Sequence, residues 1–97
     1  MVDNKDWLNN KIGTYLKNLR NQAGLSQGDV ATKLGYNSNQ FISNIERGVC
    51  TPSPHIIYNF LRVYGLSSSK AVEDLLEIQL QYLTAEYKGE KVKTIEN

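Results

Sequence analysis

The sequence predicts an all-α domain of five helices, and three observations carry that prediction. Apolar residues recur at three- and four-residue steps in one stretch after another, glycines fall where those stretches stop, and no strand-like alternation occurs before the last ten residues. Ninety-seven residues suffice for one hydrophobic core and are too few for two.

Leu8, Ile12, Leu16, Leu19 and Ala23 form the apolar stripe of a first helix, which Asp6 is placed to cap and Gly24 to end. Ser26 stands three residues before Asp29, the spacing at which hydroxyl and carboxylate satisfy each other's free backbone N–H groups at a helix start. A short second helix, 27–34, then buries Val30, Ala31 and Leu34. Gly28 is unexpected inside it, since glycine costs up to about 1 kcal/mol against alanine in a helix interior; a backbone that must come close to something would account for it. Gly35, Tyr36 and Asn37 read as a turn. Asn37 or Ser38 caps a third helix, 39–47, with Phe41, Ile42 and Ile45 inward and Gly48 at its end. Ser53 and Pro54 open a fourth helix, marked by Ile57, Phe60, Leu61 and Tyr64 and closed by Gly65.

After the serines at 67–69 the longest pattern runs over about 70–88, with Glu73 and Asp74 read as acids at its positive end. Its apolar residues spread wider than one core-facing stripe needs. Two readings fit: a terminal helix deep in its own core, or a helix with a second, self-associating face made by Leu76, Leu80, Leu83 and Tyr87. The expected organisation is therefore a helical unit over 1–66, a dimerisation helix over 67–88 and a loose polar tail over 89–97. Within that tail "KVKTI" has the pattern of a pairing strand.

Composition removes several function classes. A lone Cys50 forms no internal disulfide and no Cys-based zinc site, and a lone His55 has no partner to orient it. Neither paired carboxylates in a recognisable site, metal-ligand spacing nor a phosphate loop is visible, so no enzyme, metal or cofactor is expected. With no run of about 18 apolar residues and no export signal, the expected location is the cytoplasm, away from membranes. Net charge is only +1. Its distribution is uneven, however: six cations face four carboxylates over residues 1–48, whereas four lysines face six carboxylates over 70–97. A mildly basic front and an acidic rear suit a nucleic acid on one side.

The stretch "NSNQFISNIERG", 37–48, is where the chemistry concentrates. With Phe41, Ile42 and Ile45 inward, Asn39, Gln40, Ser43 and Asn44 point away from the core. Amides are modest helix formers but carry a donor and an acceptor in one plane, which is what base edges in a B-DNA major groove complement. Two short helices joined by a tight turn are the unit that puts the second helix in that groove. Lys17, Lys33 and Arg47 are either phosphate contacts or solubilising charges. Tyr36 either contacts a phosphate or covers the core.

At these residues the sequence resembles the phage repressor and Cro-like helix-turn-helix proteins. "IGTYLKNLRNQAGLSQGDVATKLGY" and "FISNIERG" follow that family's pattern over roughly residues 12–66, with a turn "YNSNQF" one residue longer than its common spacing. The resemblance implies a lambda-repressor-like fold with an extended C-terminal helix. It implies that Gln27 grips a phosphate and can brace the third helix, that Asn39 and Gln40 read bases, that Asn44 reads bases or holds the backbone, and that Ser43 touches phosphate or base. It also implies that Arg20 and Glu46 tie the first helix to the third. The function expected is a repressor acting as a homodimer on double-stranded DNA with a near-palindromic operator. The alternative is an antitoxin- or anti-repressor-like module whose C-terminal helix binds another protein.

Overall fold

The computed structural model describes residues 3–66 and 69–92, which form five helices: α1 (Asn4–Gln22), α2 (Gln27–Leu34), α3 (Gln40–Glu46), α4 (Pro54–Val63) and α5 (Ser69–Lys88). No strand occurs among the described residues. α1 is central: it packs on α3 and on α5, while α2 packs on α3 and α4. Ile12, Leu16, Val30, Ile42, Ile45 and Phe60 are sealed where these helices meet. A row of rings continues the core toward the α2–α3 turn: Tyr64 lies against Phe60, Phe60 against Phe41, and Phe41 edge-on to Tyr36 with centroids 5.4 Å apart.

Capping chemistry sets most boundaries. Ser26 and Asp29 form the reciprocal pair at the start of α2, with N–O distances of 3.0 and 2.9 Å. Hydrogen bonding to the carboxylate by Ser26, first from its backbone N–H and then from its side chain, holds the Asp29 carboxyl below its usual range. Ser53 accepts from the Ile56 N–H at 3.2 Å ahead of Pro54. Gly35 closes α2 with φ +78°, a left-handed conformation that L side chains rarely adopt.

Four local expectations are corrected. Asp3, rather than Asp6, caps α1, accepting from the Asp6 N–H at 2.8 Å, so the helix starts earlier and Asp6 sits in its first turn. Ala23 is exposed, because the buried stripe ends on Arg20, a charged residue that hydropathy excludes. α3 runs over Gln40–Glu46 rather than 39–47; of the two caps expected, it is the Ser38 hydroxyl that accepts from the Gln40 N–H, at 3.3 Å. In α5 no acid occupies the first turn. Asp74 lies beyond it and joins α5 to α1, accepting from Lys70 Nζ at 2.8 Å and from the Tyr15 hydroxyl at 2.7 Å.

Two further features shape the molecule. At Gly13 the backbone of α1 meets the end of α3 so closely that a Cβ would sit 2.8 Å from the Glu46 carbonyl oxygen and closer still to that of Ile45. At the N-terminal end of α1, the Asn4 amide donates to the Glu90 carbonyl at 2.7 Å and accepts from the Val92 N–H at 2.9 Å. The loose tail expected over 89–97 therefore does not describe Glu90 and Val92. The pairing strand expected in "KVKTI", 91–95, lies from residue 93 on outside the described residues. No described helix is long and apolar enough to cross a membrane.

Candidate nucleic-acid interface

The interface is built on a buried charge. Arg20 on α1 donates through Nε and Nη2 to the Glu46 carboxylate at 2.6 and 2.9 Å, and through Nη1 to the Leu25 carbonyl at 2.7 Å. Gln27, first residue of α2, donates to the same carboxylate at 3.0 Å. Only 9% of the Arg20 side chain and 2% of that of Glu46 remain exposed. The hydrogen bonds to Glu46 raise the guanidinium pKa against the opposing effect of burial. Three helices thus meet on one carboxylate at the last residue of α3. Removing one member of such a pair leaves the other charged and buried, a loss of about 3–5 kcal/mol.

Held there, α3 turns Ile42 and Ile45 fully inward and half-buries Phe41, leaving Asn39 and Gln40 exposed and Ser43 and Asn44 half-exposed. The outward groups are not independent. Gln40 Nε2 donates to Asn44 Oδ1 at 2.9 Å, Arg47 Nη2 donates to that same oxygen at 2.7 Å, and Arg47 Nε donates to the Ser43 hydroxyl at 3.2 Å. Tyr36 is half-buried against Phe41, and Lys17 on α1 and Lys33 in the last turn of α2 are exposed. Gly28 has open space where a Cβ would stand, its nearest neighbour being Ser26 Oγ at 3.7 Å. Nothing among the described residues explains that glycine.

With α2 and α3 in this arrangement, the comparison with protein families is decisive: the family model described as "helix-turn-helix domain" matches residues 11–76. The chain belongs to that family. A search of curated proteins finds no match. The helix-turn-helix match starts inside α1 and ends at Leu76, so it takes in the opening of α5 along with the two-helix motif.

Beyond the motif, α5 buries Ala71, Leu75 and Ala85 and half-buries Ile78 and Tyr82, while its other side stays in solvent. Leu76, Leu80, Leu83 and Tyr87 are 58%, 58%, 60% and 93% exposed, and Val72 extends the row at 51%. Their 4-4-3-4 spacing stays close to the helix period, so the row runs nearly straight for about 22 Å at 1.5 Å per residue. Beside Leu80 lies an open cleft of about 600 Å³ between α1 and α5, walled by Trp7, Lys11, Lys88 and Val92. Among the described residues, no cluster of His, Cys, Asp or Glu is placed to hold a metal. Cys50 is half-buried, and His55 is exposed and stacked on Tyr58.

Sequence reasoning missed Gly13, the buried Asn9 that accepts from the Thr51 hydroxyl, and the Tyr15–Asp74 link. All three join residues far apart in the chain. The only local signal was a glycine and an asparagine inside an apolar helix pattern, both costly choices unless a close contact requires them.

Proposed function

We propose that this helix-turn-helix chain is a sequence-specific regulator of transcription, a repressor that binds double-stranded DNA as a homodimer on a near-palindromic operator in the cytoplasm. The observation that carries the reading is the face of α3. Ile42 and Ile45 are sealed and Phe41 is half-buried, and Asn39, Gln40, Ser43 and Asn44 are presented on the opposite side of a helix whose last residue is held by Arg20. Uncharged groups able both to donate and to accept suit base edges better than they suit bulk phosphate. Phosphate affinity then falls to Lys17 and Lys33, with Tyr36 beside the turn and Gln27 at the positive end of α2. Gly28 lies one residue from Gln27, and the space over it is open to an approaching strand.

One α3 spans few base pairs, so two copies are required, and a two-fold pair demands half-sites about one helical turn apart. The α5 row supplies the seam. Burying a leucine fully contributes about 1.5–3 kcal/mol, and three stand more than half exposed on each copy. In a parallel pair Glu73, Glu77 and Glu86 would each sit level with their own copy. An antiparallel pair centred near Leu80 instead brings the Lys88 end of one helix to the Glu73 end of the other.

Selection of bound fragments from a random DNA pool, with sedimentation of the wild type and Leu80→Asp, tests both halves. A palindromic consensus and a wild-type dimer that Leu80→Asp turns into a folded monomer with weakened DNA binding are expected. No enriched sequence would reject DNA reading. A wild-type monomer that captures a different protein through α5 would favour the antitoxin- or anti-repressor-like role.

A further inference from the structure

Arg47 is exposed at the end of α3, where a cation would ordinarily be assigned to a phosphate. We infer that it is instead a positioning residue that fixes the hydrogen-bond polarity of the base-reading amides, an inference that rests on the DNA-reading role of α3. Arginine has donors and no acceptor. The Asn44 atom facing Arg47 Nη2 at 2.7 Å is therefore its oxygen, and the amide cannot flip without opposing donor to donor. That oxygen also receives Gln40 at 2.9 Å, so the Gln40 atom turned toward Asn44 is its nitrogen. Polarity passes from Arg47 through Asn44 to Gln40, along one face at i, i+3 and then i, i+4 spacing. Through Nε, Arg47 also occupies the Ser43 oxygen at 3.2 Å, leaving the hydroxyl proton free to donate outward.

The outward pattern follows. Asn44 has its oxygen engaged twice and offers only N–H donors, which suit the guanine O6 and N7 or the thymine O4. Gln40 keeps its oxygen and one N–H, the pair that adenine complements through N6 and N7. The half-site is thus expected to carry adenine opposite Gln40 and, beside it, guanine or thymine opposite Asn44. A free amide pair would tolerate either orientation; this one is set before DNA arrives, which lowers the ordering cost of the correct sequence alone.

The test compares wild type, Arg47→Lys and Arg47→Ala on the selected operator and on single-base variants of it, across a salt series. Arg47→Lys keeps the charge but lacks the planar fork that reaches Ser43 and Asn44 together. For a positioning role, both variants lose discrimination at the two predicted base pairs by about threefold or more while the slope of log K against log salt stays as in wild type. In the free protein, both also shift the Gln40 and Asn44 side-chain NH2 resonances. Wild-type discrimination in Arg47→Lys, with Arg47→Ala reducing the salt slope by about one and weakening all sequences alike, would make Arg47 a phosphate contact and overturn the inference. If the wild type selects no sequence at all, the DNA-reading proposal falls and this one with it, and unchanged NH2 resonances in the variants would refute the positioning geometry independently.

Discussion

Gly13→Ala tests the packing on which the reading surface depends. Judged by helix propensity alone, the change should stabilise α1 by about 1 kcal/mol. The structure demands the opposite. The added methyl would lie 2.8 Å from the Glu46 carbonyl oxygen and 3.0 Å from its carbon, and nearer still to the Ile45 oxygen. Comfortable contact requires about 3.5 Å, so α1 and α3 must part by the order of 1 Å. Such overpacking costs about 1–3 kcal/mol. The same separation stretches the bonds from Arg20 to Glu46, now 2.6 and 2.9 Å, and weakening a charge-assisted hydrogen bond costs about 1.5–3 kcal/mol more. Set against the propensity gain of about 1 kcal/mol, the net loss is about 1.5–5 kcal/mol, a fall in Tm of roughly 6–40 °C for a domain of this size. Urea and thermal denaturation followed by circular dichroism measure it directly. A variant as stable as wild type, or more stable, would show that the close α1–α3 crossing is not there.

Glu46→Ala leaves Arg20 buried without its counter-charge and should cost about 3–5 kcal/mol; Glu46→Gln, which keeps acceptor and volume, should cost less, and equal losses by urea denaturation would refute the ion-pair account. Gly28→Ala fills open space, so the free protein should gain a few tenths of a kcal/mol to about 1 kcal/mol, while operator affinity falls in a mobility-shift assay; unchanged affinity would leave this glycine unexplained. Tyr15 is raised from 10.0 to about 12 by burial first and then by its hydrogen bond to Asp74. Its contribution is therefore complete below pH 10 and lost as pH rises toward about 12, so Tyr15→Phe should be less stable at neutral pH and show a flatter loss in that alkaline window. The Asp74 carboxyl is held below 3.8 by Lys70 and then Tyr15, so its contribution is present above that value and lost on acidification. An acid titration in which Asp74→Asn parallels wild type would count against the link.

The parts of the fold that follow from local rules were legible in the sequence. α2 was, because Ser26, Asp29 and Gly35 mark its two ends by cap geometry and φ, independent of anything distant. The start of α1 was not, because Asp3 and Asp6 are both competent caps and only tertiary placement chooses between them. The end of its buried stripe was missed for a different reason: hydropathy places Arg20 outside, whereas an ion pair allows it inside. On α3 the inward side was visible as a period of three and four. The Arg47–Asn44–Gln40 chain was not, since rotamers rather than spacing create it. For α5, the breadth of the apolar pattern left open whether one face or two would be buried, and the exposed row from Val72 to Tyr87 is what the described residues leave uncovered.

α1 touches α3 backbone to backbone at Gly13 and is fastened to α5 by Tyr15 near its middle and to the segment that follows α5 by Asn4 at its tip. It thus acts as a strut of fixed length between the surface that would read a duplex and the surface that would join two copies. In such a pair, the distance between the two reading heads is set twice over by this strut, and a small rocking of α5 would reappear, magnified by the lever, as a different preferred gap between half-sites.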